Sequence, residues 1–279
     1  MKNLAYYNGA VGEMTDMPVP FCDRVCFFGD GVYDAAYSRN GKVFTLDEHV
    51  DRLFFSARRV GIVPSLTADK LSSLIRSLVT RCDENECFVY FQLTRGISVP
   101  RSHVPVETKS NLWITVTPKK VTPRGKTFDL MTYPDERYGY CFVKTLNLIP
   151  NVLAATRAKE NDCDEAIFVE DGLVNECAHS NIHILKNGEL ITPPPGRKTL
   201  GGIARKHLIA ACRAQNVAVT ERKFSVEEMF SSDEVFVTSA GTFLAPAKTI
   251  DGKKVGGGAT LLTEKLTDLL YGEFYAATD

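Results

Sequence analysis

Asn-Gly and Asp-Gly pairs punctuate the chain at Asn8-Gly9, Asn40-Gly41, Asp171-Gly172, Asn187-Gly188 and Asp251-Gly252. Each pair accepts the two positive φ angles of a type I′ turn, whose twist matches that of antiparallel strands. The flanks read as strands. AIFVE and LVNEC surround Asp171-Gly172, while NIHILK and ELITP surround Asn187-Gly188. A chain that turns in this way commits a large share of its length to antiparallel sheet.

Helices interrupt the strands. Thr45-Leu46-Asp47-Glu48 reads as a capping box, and Leu46, Val50, Leu53, Phe54, Ala57 and Val60 keep a 3.6-residue period up to Gly61. A second helix is predicted from the face Leu71, Leu74, Ile75, Leu78, Val79 and Cys82, and a third from Val152 to Glu160 after Pro150. A fourth follows Gly201-Gly202 and carries Ile203, Leu208, Ile209 and Cys212. Residues 118–126, PKKVTPRGK, hold two prolines, a glycine and four basic residues, and read as a linker. The expected organisation is a small α+β domain over 1–117 and a larger strand-rich domain over 127–279.

The 279 residues can bury a core without covalent staples. With 33 Lys+Arg against 34 Asp+Glu there is no basic footprint for nucleic acid or acidic lipid. The apolar runs are too short to span a membrane, and MKNLAYYNG lacks a signal-peptide core, so a cytoplasmic protein is expected. Eight cysteines without a C-x-x-C read as free thiols in a reducing compartment. Cys22 with Cys26, and His179 with His183 on one strand, lack further ligands at zinc spacing, so no metal is expected.

Four features can carry chemistry. In CFVKTLNL, strand alternation puts Phe142, Lys144 and Leu146 on one face, where lost hydration turns a lysine toward a nucleophilic amine that forms Schiff bases. A lysine guarding a sheet edge reads the same way. Glu176, on the return strand after Asp171-Gly172, can pair with a protonated ring nitrogen or stand on a solvated face. Thr199-Leu200-Gly201-Gly202 leads into a helix whose first N–H groups suit an anion, and TSAGT at 238–242 is a second small-residue turn; ordinary tight turns share both patterns. In GISVPRSHVP, Pro100 and Pro105 would hold the loop extended, aligning Arg101 and His103 as a carboxylate trap, unless the loop is simply mobile and basic.

Beyond these features, the chain resembles the fold-type IV pyridoxal-phosphate enzymes, which include branched-chain aminotransferases, D-amino-acid transaminases and aminodeoxychorismate lyases. The resemblance runs through DRVCFFGDGVYDA, GKVFTLDEHVDRL, VYFQLTRG, VKTLNLIPNVLA, DEAIFVEDGLVNE, SNIHIL, TLGGIAR and EVFVTSAG. It implies a two-domain α+β and α/β fold, a small N-terminal domain and a larger barrel-like C-terminal one, with pyridoxal 5'-phosphate at the interface. Lys144 matches the lysine that bonds to the cofactor and then shuttles the substrate proton. Glu176 matches the acid at the ring nitrogen, Arg52 the arginine on the phosphate, and Ile203 and Ala204 its backbone donors. Leu200 and Ala240 fall in the same cofactor-binding segments. Two positions where the family commonly places hydroxyls are Ala204 and Ala240 here, and Cys177-Ala178-His179 replaces a serine-rich run.

Within that group the R-x-H loop is similar to that of D-amino-acid transaminases, where an arginine, a histidine and a tyrosine trap the substrate carboxylate; here these are Arg101, His103 and Tyr33. The implied activity is ping-pong transfer of an amino group from a D-alanine-like amino acid to a 2-oxoglutarate-like 2-oxo acid, by a homodimer. An L-branched-chain transaminase, an aminodeoxychorismate lyase, or a non-catalytic homologue that binds the cofactor or a carboxylate are the alternatives.

Overall fold

The computed structural model describes residues 2–106 and 108–279. The chain divides into two compact units: Met1–Val121 with Val143–Asn147 and Ala276–Asp279, and Thr122–Phe142 with Leu148–Tyr275. The division falls inside the proline-rich stretch 118–126, and a five-residue segment around Lys144 belongs to the first unit.

The first unit is a six-stranded antiparallel sheet covered by helices. Its elements are β1 (Leu4–Tyr7), β2 (Ala10–Glu13), α1 (Arg24–Phe28), β3 (Gly31–Arg39), β4 (Lys42–Val43), α2 (Leu46–Arg59), α3 (Ala68–Val79), β5 (Glu86–Thr94) and β6 (Asn111–Pro118). The strand order is β2-β1-β6-β5-β3-β4. Alternation buries Val89, Phe91 and Leu93 of β5 with Ile114 and Val116 of β6, on the face that receives Leu53 and Ala57 of α2 and Leu71 and Ile75 of α3. Helix α3 ends at Val79, so Cys82 lies in the turn beyond it. The expected capping box does not form: Thr45 sits at φ 48°, in the left-handed region and not in the extended conformation from which an N-cap hydroxyl reaches the first turn, and it makes no side-chain cap bond.

The second unit contains β7 (Phe128–Pro134), α4 (Ile149–Glu160), β8 (Glu165–Glu170), β9 (Leu173–Cys177), β10 (Asn181–Lys186), β11 (Glu189–Thr192), α5 (Ile203–Ala214), β12 (Ala218–Glu221), α6 (Val226–Phe230), β13 (Glu234–Thr238), β14 (Ala245–Ile250), β15 (Lys253–Lys254) and α7 (Thr260–Thr278), whose end passes into the first unit. Its strands follow the order β12-β11-β10-β13-β14-β7-β8-β9, with β15 beside β14. β9 and β10 stand five places apart in that order, roughly 24 Å in a flat sheet. Residues 178–180 alone join them, and such a link spans at most about 14 Å. The sheet therefore curls toward a barrel. Inside the curl lie Leu130, Ile167, Val174, Ile182, Ile184, Phe224, Val235 and Val237. The opposite side of β8, Ala166 and Phe168, packs against Ala154 and Ala158 of α4.

The Asx-Gly turns behave as read. Asn8, Asn40, Asp171, Asn187 and Asp251 have φ between 45° and 52°, and each following glycine is also positive. They join β1 to β2, β3 to β4, β8 to β9, β10 to β11 and β14 to β15.

Candidate functional site

Lys144 is not on a regular strand. A single bridge, Val32 to Thr145, ties its segment to β3, supported by Tyr33 N donating to Lys144 O at 2.9 Å and Leu146 N donating to Gly31 O at 3.1 Å. Gly31 makes this docking possible, since a Cβ there would fall 2.5 Å from Leu146 Cδ1 and 2.8 Å from Leu93 O. On the other side Lys144 N donates to Ser56 Oγ of α2 at 3.2 Å. The half-buried Lys144 amine consequently stands over the Tyr33 ring, 4.3 Å from its centroid, and Tyr33 stacks on Tyr90 of β5. An ammonium over an aromatic face is attracted by the ring quadrupole.

Beside it lies a buried charge cluster that accounts for Arg52. Asp34 occupies the core-facing register of β3 between Val32 and Ala36 and is fully buried. It accepts from Arg52 Nε at 2.7 Å, Arg52 Nη2 at 2.8 Å and His49 Nδ1 at 2.7 Å. Burial pushes the Asp34 carboxyl up, but the Arg52 and His49 charges and hydrogen bonds outweigh it and hold it well below the usual carboxylate range. Burial lowers His49 against the upward pull of Asp34. Because a carboxylate only accepts, His49 carries its proton on Nδ1 and donates it. Sequence reasoning identified Arg52 and missed Asp34 and His49. His49 and Arg52 share a helix face three residues apart, and the alternation of β3 puts a charge where only apolar residues are otherwise tolerated; both signals were present.

Arg101 and His103 also lie in this unit and meet at one ring. The Arg101 guanidinium is 4.4 Å from the Phe28 centroid and the His103 ring is 5.3 Å from it. The loop is not extended as the two prolines suggested: it bends at His103 and Val104. Arg24 imposes the bend from below, donating from Nη1 to Ser102 O at 2.6 Å and from Nη2 to His103 O at 3.1 Å, while Asp30 takes its Nε at 2.7 Å. Both side chains remain exposed, a guanidinium and an imidazole on a fixed platform, which suits a carboxylate.

In the second unit, Glu176 of β9 is buried with both oxygens engaged. Oε1 is paired with Arg137 Nη1; Oε2 accepts from Asn181 Nδ2 at 3.1 Å and from Leu200 N at 2.9 Å. Arg137 also donates to Asp135 and to Lys198 O, and its guanidinium lies 4.1 Å from the Phe168 centroid. Burial raises the Asp135 carboxyl, but Arg137 and Asn175 bring it below its ordinary value. Arg137, Asp135, Asn175 and Lys198 escaped the sequence reading: Asp135 and Arg137 belong to the irregular segment after β7, where no periodicity marks a side chain as buried.

Leu200 connects this carboxylate to the start of α5, since its carbonyl accepts from Asn181 Nδ2 at 2.9 Å. Gly202 is the N-cap and gives no side-chain cap, so the first-turn N–H groups of Ile203 and Ala204 face outward with the helix dipole behind them. A Cβ on Gly202 would fall 2.0 Å from Asn181 Oδ1, so the glycine is dictated by that approach. Ala240 stands in the turn after β13, where Phe243 N donates to Ser239 O at 3.0 Å. His179 and His183 do not share a strand: His183 is in β10 and His179 is on the preceding bend with its side chain exposed.

The family model for the class IV aminotransferases matches residues 31–250. A D-alanine aminotransferase of Listeria monocytogenes is 35% identical over 256 residues, covering 90% of this chain and 89% of that one. A D-alanine aminotransferase of Bacillus licheniformis is 34% identical over 258 residues, covering 91% and 90%. Among solved structures, the branched-chain amino acid aminotransferase of Escherichia coli superposes with a TM-score of 0.90 at 21% identity over 100% of this chain and 97% of that one. An aminotransferase from Brucella abortus bound to pyridoxal phosphate gives 0.87 at 24% identity, over 99% and 100%. At those identities the structures speak for the fold, whereas the family match and the two D-alanine aminotransferases speak for descent. The chain belongs to the class IV aminotransferases.

Proposed function

We propose that this protein is a pyridoxal-phosphate-dependent aminotransferase that transfers the amino group of a D-amino acid, D-alanine-like, to a 2-oxo acid, 2-oxoglutarate-like, in ping-pong order. The observation that carries the reading is the identity to D-alanine aminotransferases across nine-tenths of both chains. Arg101 and His103 gathered on Phe28 support it.

The donor set fits the cofactor. Lys144 offers an amine for its aldehyde, Arg52 and the uncapped start of α5 suit its phosphate, and Glu176 suits its ring nitrogen. When bound, pyridoxal phosphate supplies the electron sink that makes a substrate Cα proton removable. Lys144 would bond to it and, once released, carry that proton away from Cα and return one during the second half of the cycle. The Tyr33 ring beneath Nζ limits where the amine can swing. Arg52 would grip the phosphate with a guanidinium already oriented by Asp34. Ile203 and Ala204 would add backbone N–H groups, which need no hydroxyl at either position 204 or 240. Glu176 would meet the ring with a carboxylate that Arg137, Asn181 and Leu200 prevent from rotating. Arg101, His103 and Tyr33 would take the substrate carboxylate.

The protein works as a homodimer in the cytoplasm in this reading. Val99, Val104 and Phe21 are 66%, 75% and 79% exposed on the unit that carries the Arg101 loop, an apolar group suited to a second copy. All eight cysteines are free, and no helix among the described residues is long and apolar enough to cross a membrane.

The test is a half-reaction. The purified protein is loaded with pyridoxal phosphate, and its visible spectrum is followed during separate additions of D-alanine, L-alanine and L-leucine. Conversion to the pyridoxamine form by D-alanine alone is the expected result, and Lys144→Ala should abolish it. Conversion by L-leucine alone would transfer the assignment to a branched-chain enzyme.

A further inference from the structure

Cys82 and Cys87 lie in the first unit and have no part in the site described above. Cys82 follows α3 in a turn, with its N donating to Val79 O at 3.2 Å, and Cys87 is the second residue of β5. Their sulfurs are 3.2 Å apart, with the Cys87 thiol donating to Cys82. A disulfide needs 2.03–2.05 Å between sulfurs, so closure asks for a movement of about 1.2 Å. The two thiols differ in access: Cys82 is partly exposed and Cys87 is buried. Residues 83–85 between them form a bend without regular structure, the kind of segment that absorbs such a shift.

We propose that Cys82 and Cys87 are an oxidisable dithiol site, converted to an intramolecular disulfide by low-molecular-weight disulfides. The accessible Cys82 thiolate attacks one sulfur of the reagent, whose S–S bond breaks and releases one thiol. Cys87 then gives up its proton and attacks Cys82 Sγ, forming the Cys82–Cys87 bond and expelling the second thiol. The protein dithiol loses two electrons and the reagent disulfide gains them. Burial, then the hydrogen bond and charge of Cys82, push the Cys87 thiol up to about 12, so Cys82 reacts first and Cys87 resolves.

The disulfide would stand clear of Lys144. On β3, Cys87 faces Ser38 whereas Tyr33 faces Gln92, a separation of five residues or roughly 17 Å along the strands. Oxidation therefore leaves aminotransferase turnover within about twofold.

The native protein is treated with bis(2-hydroxyethyl) disulfide, a neutral probe that Asp83, Glu84 and Glu86 do not repel, then denatured, alkylated with iodoacetamide and digested with trypsin. Cleavage after Arg81 and Arg95 leaves both cysteines in peptide 82–95. The expected peptide is lighter by two hydrogens and takes no alkyl group. Cys87→Ser should stop at a probe adduct on Cys82, and Cys82→Ser should leave Cys87 fully alkylated. Two alkyl groups on the wild-type peptide would overturn the proposal. So would a probe adduct that persists on Cys82, or a Cys87 that reacts equally fast in Cys82→Ser.

Discussion

Asp34→Asn isolates the most concentrated electrostatic feature of the first unit. The native carboxylate, fully buried, accepts three donors: two from Arg52 and one from His49. Asparagine has the same shape but one oxygen, and its NH2 group turns a donor toward donors. With its oxygen at the Oδ1 position the amide keeps the His49 and Arg52 Nη2 contacts and loses the one to Arg52 Nε; turned the other way it loses two. At about 1.5–3 kcal/mol for each hydrogen bond to a charged group, the better placement costs about 1.5–3 kcal/mol. Removing the carboxylate's charge also strands the buried Arg52 guanidinium, and breaking a buried ion pair from one side costs about 3–5 kcal/mol in all. We expect a loss of about 4 kcal/mol, a large fraction of the 5–15 kcal/mol typical of native proteins. Trp113, the single tryptophan, lies in β6 against Tyr7 and reports on this unit, so its fluorescence in a urea titration is the assay. The pH dependence follows from the depressed carboxyl. The stabilisation is complete above the ~3.9 of an unfolded aspartate and is lost as pH falls through the lower folded value. The difference between wild type and variant should hold from pH 7 to 5 and close below about pH 4. A loss under about 1 kcal/mol at pH 7, or a gap that persists unchanged at pH 3, would refute the reasoning.

Adjacent glycines give a second contrast. Gly202→Ala places a Cβ 2.0 Å from Asn181 Oδ1, which disturbs the clamp on Glu176; thermal unfolding should show a loss of about 1–3 kcal/mol. Gly201→Ala meets only Pro195 at 3.7–3.8 Å and should stay within about 0.5 kcal/mol of wild type. His183, fully buried in β10 with Nε2 on Thr238 Oγ1 at 2.9 Å, is held well below its ordinary pKa by burial and by the nearby Arg205. The unfolded chain takes a proton near pH 6.5 that the folded one refuses, so stability should fall by about 1.4 kcal/mol per pH unit below that point for this group. His183→Gln should reduce the slope of stability against pH by one proton, and an unchanged slope between pH 6 and 5 would contradict the assignment.

What the sequence revealed of the fold was what local chemistry decides. Asx-Gly pairs demand positive φ wherever they occur, so five hairpins could be placed from dipeptides alone, and all five hold. Helices α2, α3, α4 and α5 were legible because each carries an apolar stripe or a clear start. Helix α7 was not anticipated, although Phe274, Leu266 and Leu270 are buried. Its buried and exposed residues are less sharply separated, and its burial comes from partners such as Phe243 that lie some thirty residues away. The curl of the large sheet was equally inaccessible to periodicity: it follows from strand order together with one short connection, and strand order is a tertiary property.

For the candidate site the same division operates, but on charge. Lys144, Glu176 and Arg52 were singled out because their neighbours in sequence form recognisable runs. The groups that orient them were not: Arg137 reaches Glu176 across 39 residues and Asp34 reaches Arg52 across 18. An ion pair of that kind leaves no trace in the local pattern of either partner. It shows instead as a local contradiction, a carboxylate in the apolar register of β3 or an arginine left in an irregular segment beside an aspartate. Such contradictions are expensive: an unpaired buried charge costs several kcal/mol. A chain that folds must therefore contain a partner for each, and the partner must stand on an element rigid enough to keep the geometry. That requirement explains why Asp34 lies within a strand hydrogen-bonded to β5 rather than on a loop, and why His49 and Arg52 rise from one face of the helix packed above it. Arg52 is thereby oriented by the fold, so in the proposed reading, where it would grip the cofactor phosphate, the entropy of fixing a long side chain would be lost on folding and not again on binding.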